Sequence, residues 1–308
     1  MRSSATSCRT ARLEPAALLT RRRLALWLVA ALLLGAGAII AIGYRNAVSE
    51  PVVRRLVLAV PGYPTNAPPV RIALFSDVHV HGPDMPPRRV EHIVEEINAL
   101  HPDIAVAAGD FTGNNWIGRD YSIDEAIAPL RGLKAKFGVF AVLGNNDCQA
   151  GAGAVSSVLE RAGVHVLRNQ ASSAGPIAVG GMDGRLAAMA ASRRRTYSAL
   201  ERTPGVKILV AHRPDEFVFA PRSVSLVLAG HTHCGQIVLP LIGPLYTGSD
   251  FGRKYLCGVI TNRSTVLVVT AGLGTSHMPL RIGAPPDIWL ITIKGRANDR
   301  TNAAASQQ

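Results

Sequence analysis

The chain's 308 residues allow one large domain plus a tail or anchor, and 48% hydrophobic content with 5% aromatics makes Ala, Val, Ile and Leu the core. Basic residues exceed acidic ones, 33 to 21, but they are scattered apart from Arg21-Arg22-Arg23 and Arg193-Arg194-Arg195. No aromatic residues interleave with either run, so the excess gives no ground for a nucleic-acid partner and none is expected.

Residues 1–23 read as a basic, poorly ordered cytoplasmic tail. Leu24 to Gly43 is 20 residues without a charge. As a helix at ~1.5 Å per residue it spans the ~30 Å hydrocarbon core. The arginines before it put the N-terminus inside and the rest outside. The expectation is a single-pass protein of the cytoplasmic membrane with an extracytoplasmic main domain. A cleaved signal of loosely twin-arginine pattern is the alternative, but no convincing cleavage site lies between Ala38 and Ala47.

Residues 44–69 read as a tether and an edge strand, Val52 to Val60, followed by a proline-rich turn. From 70 to 294 strand and helix first alternate. Strands are expected near 70–75, 103–108, 137–143, 164–167, 176–181 and 206–211, with helices near 88–100, 122–135 and 152–162. Residues 185–202 are ambiguous, and Arg193-Arg194-Arg195 reads as a solvated helix face. The remainder is strand-rich: 225–229, 235–239, 254–260, 263–270 and 288–293. This order predicts an α/β fold, a four-layer sandwich of two mixed sheets flanked by helices. Residues 295–308 read as a polar, disordered tail.

Five of the apolar runs end in metal-binding side chains. They lead into Asp77 and His79, into Asp110, into Asn145, into His212, and into His231 and His233. Runs rich in β-branched residues are how strands buried on both faces read, and ligands sit best at the carboxyl ends of such strands. Oxygen and imidazole donors together suit Mn, Fe or Zn. Seven side chains exceed the roughly four of a structural zinc site and suffice for two ions sharing a carboxylate, an arrangement suited to in-line displacement at phosphorus. Any one of these residues alone reads equally as a cap or a loop residue.

The segments Asp77-Val78-His79, Gly109-Asp110, Gly144-Asn145-Asn146-Asp147, His212 and Gly230-His231-Thr232-His233 resemble the calcineurin-like metallophosphoesterases, and Gly272-Leu273-Gly274-Thr275-Ser276 resembles their membrane-associated bacterial branch. The resemblance implies that Asp77, His79 and His233 hold one ion, that Asn145, His212 and His231 hold the other, and that Asp110 bridges. It also implies the same four-layered fold. Gly109, Gly144 and Gly230 precede ligands, where a side chain would crowd a tight turn.

One position departs from the family pattern. Asn146 stands where the family usually has a proton-donating His, and an amide cannot act as a general acid. Three readings follow: the leaving group departs unaided, His277 or His81 supplies the proton, or the chain binds metal with little turnover. Arg213 and Arg281 are candidates to clamp phosphate, or else structural ion-pair partners. Cys148 and Cys234 each follow a motif; outside the cytoplasm a disulfide between them is permitted, and two small apolar loop residues is the plainer reading. The implied partner is a phosphoester substrate, of lipid or envelope origin by location alone. A nuclease or nucleotide hydrolase stays within the same chemistry. The contrasting reading is a metal-binding envelope protein that recognises a phosphorylated ligand without turnover.

Overall fold

The computed structural model describes residues 15–182, 189–262 and 264–296; of the expected tails, 1–14 and 297–308 lie outside the described residues, while 15–23, read as poorly ordered, are helical and Gly295 ends a strand. The chain divides into two compact units, 1–42 and 43–308. In the first, the described residues belong to one helix, α1 (Pro15–Ala47). Its apolar stretch from Arg22 has mean hydropathy 2.5 and buries none of that surface. Length and composition suit a membrane span or a signal sequence.

The second unit is built on two six-stranded sheets. One sheet has the order β1 (Val52–Val60), β14 (Asp287–Gly295), β2 (Val70–Phe75), β3 (Ile104–Ala107), β4 (Val139–Ala141), β5 (Val164–Val166). The other has the order β12 (Gly258–Asn262), β13 (Thr265–Val269), β9 (Val224–Ala229), β8 (Val206–Val210), β7 (Ile177–Gly181), β6 (Gln170–Ala174). Both are mixed: β14 against β2 is antiparallel while β2, β3, β4 and β5 run parallel.

Alternation along each strand decides the layers. In β2, Val70, Ile72 and Leu74 enter the core between the sheets, with Ile208 and Leu226 opposite, while Ala73 and Phe75 face the helices. Both faces are covered, so the strand reads as a continuous apolar run. Helix α2 (Pro87–Ala99) begins with proline at its first position and buries Val90, Ile93, Val94 and Ile97 on one stripe. Helix α5 (Met189–Arg202) covers the second sheet through Leu200. The result is helix, sheet, sheet, helix, as the sequence predicts. Strand β1 alternates exposed and half-buried residues, as an edge strand does.

Several elements differ in extent from expectation. The helix read over 122–135 is α3 (Ile123–Ile127), capped by Ser122 and Glu125, then a 3₁₀ turn at Ala128–Gly132 that contains Pro129. The helix read from 152 starts at Asn145 (α4, Asn145–Arg161) and is kinked at Gly151, φ 115°. The strand read over 235–239 is only β10 (Val238–Leu239), paired with β11 (Gly243–Pro244). Strand β6 was not expected, because Gln170-Ala-Ser-Ser-Ala174 carries no apolar pattern. Arg193 is not merely solvated: it forms a two-pronged ion pair with Glu216 at 2.6 and 2.9 Å and lies over Phe219.

Candidate metal centre

Loops after β2, β3, β4, β8 and β9 meet at one end of the sandwich, and they bring all seven candidate ligands together. Asp77 Oδ1 lies 3.8 Å from His79 Nε2 and 3.5 Å from His233 Nε2. Asp110 Oδ2 lies 3.7 Å from His79 Nε2 and 3.3 Å from His212 Nε2, so it stands between two clusters. In the second cluster His212 Nε2 is 3.2 Å from Asn145 Oδ1 and 3.1 Å from His231 Nδ1.

The ring tautomers follow from outward partners. His79 Nδ1 is 3.2 Å from the Thr112 carbonyl and His212 Nδ1 is 2.7 Å from that of Ala108, so each donates there. Each Nε2 then faces the cluster, that of His212 toward Asp110, where its proton would be displaced by a bound cation. His79 Nε2 meets His233 Nε2 at 3.1 Å. Asp77 Oδ1 is buried and has no hydrogen-bond donor at all. An orphaned buried carboxylate oxygen costs about 1–3 kcal/mol or more unless something positive meets it. Acceptors that converge on a point without a donor fit a cation, and the mix of carboxylate, amide and imidazole fits a divalent transition metal.

Charge in the cluster is polarised. Burial alone would lower the His212 pKa, but the charge and hydrogen bond of Asp110, helped by Asp77, lift it to about 9. Burial opposes ionisation of Asp110 too, yet His212, His79 and Asn146 hold it below the usual carboxylate range. Burial and the neighbouring His212 press His231 down to about 3. Burial, His79 and Arg281 hold His233 well below an ordinary histidine. His231 and His233 are therefore neutral imidazoles at pH 7, the form that ligates metals.

The backbone is strained where the ligands sit. Asp77, His79, Asp110, His231 and His233 all have φ between 44° and 69°. Each costs ~1–3 kcal/mol and persists only where neighbours over-determine it. Asp147 does much of this. Its carboxylate accepts the amides of Asp110 and Phe111 at 2.8 Å, Gly144 at 2.9 Å and Thr112 at 3.2 Å, tying the β3 loop to the start of α4. Gly109 has φ 94°, and a Cβ there would stand 2.6 Å from the Gly144 amide nitrogen. A Cβ on Gly144 would overlap Asp110 Oδ1, so no larger residue fits.

Asn146 does not reach out as a donor to substrate in this arrangement. Its backbone and side-chain amides donate to the two Asp110 oxygens at 2.8 and 2.7 Å. The two deputies for the missing histidine separate. His277 lines the cleft over the cluster, its Nδ1 2.8 Å from Ser276 Oγ and its ring edge-on to Trp116. His81 is buried, bonded to the Gly82 carbonyl and paired with Asp120.

Arg281 is corrected. It is fully buried and donates to the carbonyls of Ala271, Gly272, Gly274 and Ala284, which fixes the glycine-rich loop and leaves no guanidinium for substrate. Burial drops its pKa to about 10, still far above neutrality. Arg213 borders the second cluster but is matched by Asp250 at 2.9 Å and Asp215 at 3.5 Å. The Cys148–Cys234 pairing that the sequence permits is corrected: the disulfide joins Cys234 to Cys257, and Cys148 packs against the helix-side core.

Residues not singled out by sequence complete the site. The cleft, about 490 Å³, has Trp116, Ile237, Leu245 and Tyr246 in its walls. Gln236 holds the loop opposite by bonding Ser276 and Met278. Asp147 had a legible signal, an acid three residues past a glycine at a helix start. The cleft walls had none. A larger groove, about 1140 Å³, lies between β5 and β6, and none of the candidate ligands lines it.

Residues 70–235 match the family model described as calcineurin-like phosphoesterase. Over 238 residues the chain is 33% identical to a protein of Aquifex aeolicus (strain VF5) described as an uncharacterized metallophosphoesterase, covering 74% of this chain and 87% of that one. It is 31% identical over 232 residues to metallophosphoesterase YkuE of Bacillus subtilis (strain 168), covering 73% and 79%. It is also 30% identical over 269 residues to a transmembrane protein with metallophosphoesterase domain of Danio rerio, covering 82% of this chain and 59% of that protein.

Proposed function

This chain belongs to the calcineurin-like phosphoesterase family of metal-dependent phosphoester hydrolases, and from that premise we propose a membrane-anchored enzyme that cleaves phosphodiesters or phosphomonoesters outside the cytoplasmic membrane. Asp77, His79 and His233 hold one divalent cation, Asn145, His212 and His231 hold a second, and Asp110 is shared. Mn, Fe or Zn suits the donors. The observation that carries this reading is the buried, donorless Asp77 Oδ1 facing two imidazole nitrogens.

Bound there, divalent cations supply Lewis acidity toward phosphoryl oxygens and acidify water at neutral pH. The side chains do the rest. Asn146 keeps the Asp110 carboxylate ionised and aligned through two donated hydrogen bonds. His277, at the cleft rim, delivers a proton to the departing oxygen, a task worth roughly 10²–10⁴-fold. Trp116 and Tyr246 take the organic part of the substrate against their faces and exclude water there. Arg213, already paired, contributes field at the second half of the centre rather than a clamp.

The arginines before α1 and the exposed apolar helix support an anchor with its N-terminus inside. Substrates of lipid or envelope origin fit that placement. The test is Mn²⁺-dependent hydrolysis of bis-p-nitrophenyl phosphate by the full chain in detergent. Its good leaving group needs no acid, so turnover is expected and is lost on chelation. A folded, metal-loaded chain without turnover would favour the binding role instead.

A further inference from the structure

Hairpin β10–β11 carries a tip that packing does not explain. Leu241 is 108% exposed and sits at φ 67°, a left-handed conformation for a branched apolar residue, while Ile242 beside it is 61% exposed. Tyr246 and Leu245 follow and line the cleft together with Trp116, whose neighbour in sequence is Ile117; all four are more than half exposed. Soluble surfaces scatter such residues singly; here three of them line one cleft and the others are their near neighbours in sequence. The patch is ordered rather than loose: Arg253 donates to the Ile242 carbonyl at 2.8 Å, and the Trp116 amide donates to that of His277 at 2.8 Å.

Its composition points to one kind of partner. Leucine and isoleucine at the tip, tryptophan and tyrosine at the shoulders, and Arg253 with Lys254 behind them are the pattern of a surface that sits in a bilayer interface. Its position agrees. The uncharged stretch of α1 ends at Gly43, whose carbonyl accepts the Arg281 amide at 2.9 Å. One residue on, the Ile282 carbonyl accepts the Val238 amide at 2.8 Å, in the first strand of the hairpin. The base of the hairpin is thus linked through Arg281 and Ile282 to Gly43, the last residue of the uncharged stretch.

We propose that the hairpin tip, with Trp116 and Ile117, is a second membrane contact that inserts into the interface of the bilayer holding α1 and keeps the cleft mouth at the headgroup layer. This inference rests on α1 being a retained anchor. It makes phosphoesters embedded in that layer the accessible substrates, and the exposed leucine is then a feature of the docked state.

The experiment uses the full chain with Trp27→Phe in nanodiscs containing lipids brominated near the headgroup. Trp116 fluorescence is expected to be quenched, read as the difference from a Trp27→Phe/Trp116→Phe chain that keeps only Trp289. Leu241→Glu/Ile242→Glu should abolish that quenching. It should also lower hydrolysis of a bilayer-embedded phosphoester by roughly 10-fold while leaving soluble bis-p-nitrophenyl phosphate unchanged. Alkaline carbonate extraction tests the anchor separately. A chain that washes off overturns the anchor and the inference with it. A chain that stays but shows unquenched Trp116 overturns the inference alone. Self-association in detergent that the double variant abolishes, without quenching, would assign the patch to a second copy and also overturn it.

Discussion

Asp77, His79 and His233 are buried beside the glycine-rich loop that Arg281 braces, with His79 and His233 reaching the cleft wall, whereas Asn145 at the start of α4 and His231 after β9 are part-exposed, with Arg213 and Tyr246 beside them. The first cluster has a buried guanidinium, loop carbonyls and an orphan carboxylate oxygen around it. The second has a helix N-terminus, a side-chain amide and a charged rim. The difference teaches that one cluster is the more deeply buried and braced and the other the more exposed. Asp110 couples them, and Asp147 fixes Asp110.

Removing the coupling group should have the largest effect. Asp110→Ala is expected to lose metal from both halves and reduce hydrolysis by roughly 10³-fold or more, measured by elemental content and turnover together. Retention of both metals would break the comparison, since the halves would then be independent. Next comes Arg281→Met, which strands four carbonyls and loosens only the braced half. It should cost about 3 kcal/mol in denaturant unfolding and reduce metal content toward one ion, and Arg281→Lys should not rescue it because an ammonium lacks the planar fork.

The open half is sharpened by the acid question. His277→Ala should lower turnover of alkyl phosphates about 10-fold or more while leaving aryl phosphates nearly unchanged, and Asn146→His should recover part of that loss only in the His277→Ala background. Equal effects on both leaving groups would show that neither residue handles the proton. The smallest effect lies outside both halves. Burial, then the hydrogen bond and charge of Glu50, lift the Glu96 pKa to about 7 from 4.5. A raised acid contributes stability below its unfolded pKa and loses it as pH rises through the folded one. Melting temperature should therefore fall slightly between pH about 4.5 and about 7, and Glu96→Gln should flatten that slope; the group is part-exposed, so solvent screens much of it.

The sandwich and the convergence of the seven candidate side chains were legible because both leave local marks. Runs such as Ile72-Ala-Leu-Phe75 announce strands covered on two faces, and a metal ligand at the end of each run announces convergence. The glycines at 109 and 144 were legible for the reason the structure displays, a side chain having no room. What failed was long-range or polar. Arg281 beside a motif reads as a phosphate clamp, and only its burial among backbone carbonyls shows a brace. The mate of Cys234 depends on which layer each cysteine occupies, which spacing does not encode. Strand β6 is polar and pairs only because β7 offers it an edge. The cleft walls, Trp116 and Tyr246, come from loops 130 residues apart in sequence.

The most direct measurement is the metal content of the full chain purified under non-chelating conditions and then exposed to Mn²⁺, read by elemental analysis against protein concentration. Two ions per chain, lost together in Asp110→Ala, is the expected result. A well-folded chain that takes up no ion would leave the donorless Asp77 oxygen and the facing imidazoles without their cation, and would contradict the account.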